Sequence, residues 1–474
     1  MIRPRLALVT LASVLSTPGG AWAQSTAGQV TAPQVLTLDG AIQYAVDHYP
    51  TVRAALEQVN AAAAGVSVAK AASLPRLDAL WQSNRGTANN IFGQVFPQSI
   101  IPAMSGPVLT SASSQSVWGS ATGALFSWEP FDFGLRDATV VGAEAAVARA
   151  RAGEALTRLD VQSAVGAAFL GALSAQRAVI ATQADFDRRE VLARTAHTLV
   201  DNQLRPGAEA SRADAERAAA QTRLIQAQAT VTLAQTTMTR VLGITTGAIT
   251  IDGANLLNGL PATDVDAAEM SMHPLAQVHQ AAVDATRSQE EVLARTDRPR
   301  LFVQSSVFAR GSGANPDGQL DGGPGGLALE RANWAAGVQL VFPNVFDFTS
   351  LRARKAAAAA SERAETALYD EARLTIASQQ QAAAAMVQAA RAVAANTPVQ
   401  LTAAQQSESQ ARARYEAGLA SILEVADTQS LLAQAEFQDQ LARVEVWRAL
   451  LAEATAQGTL ASFLTLIHPS SGAR

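Results

Sequence analysis

The sequence predicts a mixed α+β membrane protein built as two tandem repeats, each with one β-hairpin and one very long helical hairpin. Three observations lead there. An ordered set of landmarks occurs twice at a steady offset. Four runs of about ten residues alternate in side-chain character, as strands with one apolar face do. Two helical stretches are far longer than a globular core can cover, so they need partners along their whole length.

Composition excludes several chemistries. The 474 residues contain no cysteine, which removes a disulfide scaffold, Cys-ligated zinc or iron–sulfur, a Cys nucleophile and an acylated N-terminal Cys. The balance of 36 Lys+Arg against 41 Asp+Glu leaves a net charge of −5, with no basic field for nucleic acid. The only lysines, Lys70 and Lys355, do not end a GxxxxGK loop. Alanine makes up about a fifth of the chain and aromatics 5%, a composition of long helices packed closely through small side chains.

Residues 1–23 read as a signal peptide. Arg3 and Arg5 are followed by an apolar run from Leu6 to Leu15, a break at Pro18-Gly19-Gly20, and the small-x-small site Ala21-Trp22-Ala23. Residues 24–35 are then an N-terminal extension of an exported chain. No later stretch has roughly 20 consecutive apolar residues, so a membrane crossing would have to be a barrel.

The first repeat is placed at 36–243: a helix over 38–73, a β-hairpin over 74–128, and a helical hairpin over 134–243 with helices 134–200 and 208–243. Residues 244–263 are a linker. The second repeat, 264–467, has a helix over 264–297, a β-hairpin over 299–343, and a helical hairpin over 349–458 with helices 349–413 and 419–458. Residues 468–474 are a tail. Pro50 and Pro75 lie 25 positions apart, as do Pro274 and Pro299. Phe126-Ser127-Trp128-Glu129-Pro130-Phe131-Asp132-Phe133-Gly134 answers Phe342-Pro343-Asn344-Val345-Phe346-Asp347-Phe348. Leu204-Arg205-Pro206-Gly207 and Tyr415-Glu416-Ala417-Gly418 each mark a helix–helix turn. The alanine runs 356–360 and 382–385 let helix backbones approach closely, as in a tube wall.

In the strands, Trp118, Ser120, Thr122, Ala124, Phe126 and Trp128 share one face. Trp81, Trp118, Trp128 and Trp334 are the candidate membrane-interface aromatics. Ten tilted steps rise roughly 25 Å, the height of an outer-membrane apolar band. No charged residue occurs between Arg85 and Glu129. Four strands cannot close a barrel, since single chains need at least about eight. Either the strands lie in water or several chains pool them, and three chains would supply twelve.

Catalytic motifs are lacking. His48, His197, His273, His279 and His468 form no HExxH pair, and no GxSxG elbow is present. The stretch Gly311 to Gly326, with Asp317 and Asp321, reads as a loop between strands rather than a calcium loop.

The element order, the duplication and the Pro75-Arg76-Leu77 and Phe131-Asp132-Phe133-Gly134 junctions resemble the TolC-type outer-membrane efflux proteins over residues 36–467. The resemblance implies a homotrimer in a Gram-negative outer membrane, with four strands per chain in a twelve-stranded barrel and a helical tunnel through the periplasm, residues 244–263 lying at its equator. It implies a passive exit duct for drugs or other small solutes, joined by a periplasmic adaptor (membrane fusion) protein to an inner-membrane pump. No catalysis and no cofactor are implied. The alternatives are a duct for type I protein secretion and, from another class, an exported coiled-coil structural protein. Loops 87–115 and 311–331 are expected to be extracellular.

The family narrows its periplasmic mouth with acids that follow a Tyr-x-x-Gly turn. Tyr415, Gly418, Glu424 and Asp427 match that pattern, and Glu424 and Asp427 at i, i+3 share a helix face. Pro206, Gly207 and Gly418 are the implied hairpin tips for adaptor contact. The chain departs from the pattern at Ala420, where the family's latch residue is basic, and in the first repeat, where Ala213 and Asp214 follow Gly207 out of step.

Overall fold

The computed structural model describes residues 35–87, 96, 98–101, 114–244, 249–257, 259–261, 265, 268–313, 323–343, 345 and 347–467. The expected signal peptide, all of the extension but Val35, Asp317, Asp321, His468 and the tail lie outside them.

The chain runs β1 (Val35–Leu36), α1 (Leu38–His48), α2 (Pro50–Ala71), β2 (Arg76–Thr87), β3 (Ser116–Phe131), α3 (Leu135–Asp201), α4 (Gly207–Leu242), β4 (Thr250–Ile251), α5 (Ala254–Leu257), α6 (Pro274–Arg295), β5 (Arg300–Gly311), β6 (Arg331–Val341), α7 (Phe348–Glu416), α8 (Ile422–Ala456) and α9 (Ala461–Ile467). Two expected helices differ. The helix over 38–73 is two, because Tyr49 is extended (ψ 129°) ahead of Pro50, which opens α2 at its first position. The helix over 264–297 starts only at Pro274, after a 3₁₀ turn at Met270–Met272 and an extended His273 (ψ 130°). The parallel pairing of β1 with β4 and the short α9 were not anticipated.

The four long strands form one antiparallel sheet in the order β2-β3-β5-β6. Its register aligns Trp81 with Thr122 and Val307 with Trp334. One face therefore carries Leu77, Trp81, Phe126, Val307, Trp334, Val338 and Leu340, all exposed in the single chain. The other carries Gln82, Asn84, Gln304, Ser306, Arg310, Arg331, Asn333 and Gln339. Among the described residues, β2 and β6 each pair on one side only.

The strand-to-helix junction explains the Phe-Asp-Phe-Gly motif. Phe133 (φ 53°) and Gly134 (φ 88°) turn the chain, and Asp132 caps α3 by accepting from the Gly134 and Arg136 amides and the Arg136 guanidinium at 2.7–3.1 Å. Burial opposes charge on Asp132, but these hydrogen bonds outweigh it and hold its pKa below the usual 3.8.

Antiparallel hairpins α3/α4 and α7/α8 pack together chiefly through α3 and α8. The main core lies where these helices meet α1, α5 and α9, around Phe169, Leu170, Trp447, Leu450 and Phe463. Trp447 is held there by its indole N–H, which donates to the Leu256 carbonyl at 2.6 Å. Nearer the tips, Arg189 is buried in an ionic network. It reaches Asp185 at 3.0 Å, Glu216 at 2.8 Å and the Ser430 hydroxyl at 3.0 Å, while Arg223 reaches Asp185 at 2.8 Å. The network ties α4 and α8 to α3. Pro398 lies inside α7, where it removes one helix hydrogen bond, and the preceding Thr397 donates to Asp439 of α8 at 3.1 Å.

His273 caps α6. Its Nδ1 accepts from the Leu275 amide at 3.1 Å, so Nε2 carries the proton and faces the Thr455 carbonyl at 3.4 Å. Burial holds its pKa below 6.5, partly offset by the Thr455 contact. The unfolded chain takes up a proton near pH 6.5 and the folded one only at lower pH. The stabilisation is therefore complete above about 6.5 and declines as pH falls below it, by at most about 1.4 kcal/mol per unit. Thermal melts in detergent should show Tm falling between pH 7.5 and 5.5, with a shallower fall in His273→Asn, which still caps the helix. Equal slopes would remove His273 as the source.

Candidate pore mouth at the helical-hairpin tips

Each tip is shaped by its turn residues. In the first, Gln203 is left-handed (φ 58°), and Pro206 in an extended conformation (ψ 143°) precedes Gly207, where α4 begins. In the second, Gly418 takes φ 77°, a conformation that side-chain-bearing residues rarely adopt, and Ser421 precedes α8. The tips meet in a small core of Leu192, Ala196, Ala213, Ala411, Tyr415, Ala420, Ile422 and Val425.

Tyr415 sits at the centre of that contact. It is 2% exposed, and its hydroxyl donates to Glu209 on α4 at 3.1 Å. The Arg205 guanidinium lies 4.9 Å from its ring centre, donates to the carbonyls of Tyr415 and Ala420 at 3.4 and 3.3 Å, and pairs with Glu209 at 3.6 Å. Burial, the Glu209 hydrogen bond and the Glu209 charge push the phenol up to about 12. It thus stays a donor throughout the physiological range.

Glu424 and Asp427 point elsewhere. Val425 is buried against α3 and α7 and Ala426 is also buried, whereas Glu424 is half-exposed and Asp427 exposed, on one side of α8 with the exposed Leu423 and Leu431. Arg414 approaches Glu424 at 3.7 Å and the Leu419 carbonyl at 3.5 Å. The residues grouped from the sequence therefore divide: the acids face outward, and Tyr415 is a clamp inside the tip rather than a lining residue. Two basic groups that the sequence reading did not single out, Arg205 and Arg414, lie beside the tip core, neither of them at the position of Ala420. Arg205 and Glu209 flank the Pro206-Gly207 turn at i, i+4, and that spacing was the available signal.

At the sheet, Trp81 and Trp334 are exposed on the apolar face. Trp128 donates to the Ser73 carbonyl at 3.1 Å, pinning one end of β3 to the end of α2. Trp118, near the other end, lies 5.7 Å from the Arg85 guanidinium. The aromatics thus bracket β3 at both ends.

A family model described as outer membrane efflux protein matches residues 41–244 and 268–458. Among solved structures, the outer membrane protein VceC of Vibrio cholerae is similar at 17% identity and TM-score 0.69, over 89% of this chain and 96% of that one. CusC is similar at 14% identity and TM-score 0.74, over 89% and 92%. The open state of the Neisseria gonorrhoeae MtrE outer membrane channel is similar at 16% identity and TM-score 0.71, over 89% of each. At these identities the likeness is one of fold. No curated protein matches the chain.

Proposed function

The chain belongs to the outer membrane efflux protein family, resident in the Gram-negative outer membrane and extending into the periplasm, and from that premise we propose that three copies form the passive exit duct of a tripartite efflux system for drugs or other small solutes. The observation that carries this reading is the open sheet. An exposed apolar face needs lipid, yet the outer edges of β2 and β6 cannot stay unpaired there. Pairing β6 of one chain with β2 of the next closes four strands from each of three chains into twelve.

In this reading the repeats 36–243 and 264–467 each supply a β-hairpin and a helical hairpin, with 244–263 at the equator; the connections 87–115 and 311–331 leave the sheet at its outer end, and Ile100 and Ile101 of the first turn back onto the polar face of the sheet instead of standing outside the cell. Helices α3 and α7, of 67 and 69 residues, reach about 100 Å into the periplasm at 1.5 Å per residue. The tips at Pro206, Gly207 and Gly418 meet the adaptor, and the pump supplies the energy. The duct holds no cofactor and performs no chemistry.

Glu424 and Asp427 from three chains would make six carboxylates around the periplasmic mouth, a cation-favouring ring. The purified protein should sediment as a trimer in mild detergent and form cation-selective channels in planar bilayers. Glu424→Ala/Asp427→Ala should reduce that selectivity and weaken block by trivalent cations, with the fold intact because both acids face water. A monomer with intact strands would overturn the barrel. Unchanged selectivity and block in the double variant would remove the acids from the mouth.

A further inference from the structure

The polar face of the sheet carries one apolar island. Leu80, Ala121, Leu125 and Phe308 lie opposite the Trp-bearing face, and the register sets Leu80, Gly123 and Phe308 in one row across three strands. Gly123 is needed there, because a Cβ would stand 2.7 Å from that of Phe308. Onto this island folds part of the connection between β2 and β3. Ile100 and Ile101 are 7% and 2% exposed and pack against these four side chains.

The segment is stapled by its own side chain. Gln98 Oε1 accepts from the amides of Ile100 and Ile101 at 2.5 and 2.9 Å, and its Nε2 donates to the Ile101 carbonyl at 3.0 Å. Backbone groups that would lose water against an apolar surface are thereby satisfied. A cavity of about 310 Å³ remains beside the contact, bordered by Ser99, Ile100, Leu125 and Ser306.

In the barrel proposed above, the polar face is the lumen wall. We propose that Ile100, Ile101 and Phe308, repeated in three chains, form an apolar collar inside the barrel that sets which solutes leave. Water is held weakly in an apolar constriction, so hydrated ions and sugars are slowed there. Apolar and amphiphilic solutes shed less hydration and gain contact with the isoleucines, so they pass more readily. The selectivity would then lie in the duct itself, downstream of the pump.

The inference rests on the barrel reading, and its test keeps the two apart. The chain has no cysteine, so single thiols can report. Ser306→Cys is a conservative reporter on the polar face, 6% exposed. Gly323→Cys, exposed in the second loop, is the control. Intact cells are treated from outside with a charged methanethiosulfonate and with neutral N-ethylmaleimide. Gly323→Cys should react rapidly with both. Ser306→Cys should react slowly with the charged reagent and faster with the neutral one. Adding Ile100→Ser/Ile101→Ser should speed the charged reaction by about tenfold and bring the two rates together. Should that variant fail to reach the membrane, Gln98→Ala, which removes only the staple, should shift the ratio the same way. Unchanged rates and ratio overturn the collar. Failure of Gly323→Cys to react in intact cells overturns the barrel topology instead.

Discussion

Replacing Arg189 by Met should cost about 3–5 kcal/mol per chain, the penalty for removing one partner from a buried ion pair. Asp185 and Arg189 are 3% and 2% exposed, and with Arg223 and Glu216 they form a set of two positive and two negative groups. Arg189→Met leaves two carboxylates facing one guanidinium and strips the Ser430 hydroxyl of its donor. Denaturant melts of the detergent-solubilised protein should show the loss, with early separation of α4 and α8 from α3. The double variant Arg189→Met/Asp185→Leu removes one charge of each sign and should recover much of the stability, since well-packed apolar replacements of buried ion pairs are often neutral or better. A double variant worse than the sum of the singles would contradict this account.

Tyr415→Phe/Arg205→Gln should open the periplasmic mouth. The first change removes the hydrogen bond to Glu209, and the second removes the cation over the ring and its bonds to the Tyr415 and Ala420 carbonyls. Together these contacts contribute roughly 2 kcal/mol per chain. In the proposed trimer, three chains sharing one mouth would total roughly 6 kcal/mol, enough to shift a two-state equilibrium about 10⁴-fold. Single-channel recordings should change from brief openings to long-lived ones, and Tyr415→Phe alone should fall between. Unchanged open probability would mean that the tips move as one body, with the closure held elsewhere.

The long elements were legible because glycine and proline punctuate them. α3 and α4 separate at Pro206-Gly207, and α7 and α8 at Gly418, as their backbone angles require. The alternation at Trp118–Trp128 gave the face of β3 correctly, because period two survives whatever pairs with the strand. Pro50 was just as visible, yet the break at Tyr49 was missed because helical periodicity runs across it. The two-residue β1 and β4 offer no period to read, and only their pairing defines them.

The site was read less well, for a physical reason. Asp185 and Arg189, four residues apart on one helix, look like a solvated surface pair. Ser430, 241 positions away, is what marks them as buried. Arg205 and Tyr415 are 210 positions apart, and their contact exists only once the two hairpins lie side by side. Sequence spacing reports neighbours along a helix. It does not report which face a distant helix will cover.

Pro398 gives α7 a mechanical asymmetry. The proline leaves the helix one hydrogen bond short at a defined level, where bending is cheapest. From there to the end of the helix at Glu416 the lever arm is about 27 Å, at 1.5 Å per residue. A tilt of about 10° at that fulcrum swings the tip by about 5 Å, enough to break the 3.1 Å hydrogen bond from Tyr415 to Glu209. In the proposed duct, a small bend at Pro398 is thus geared up into a large displacement at the mouth, while the longer part of α7 before the proline remains still.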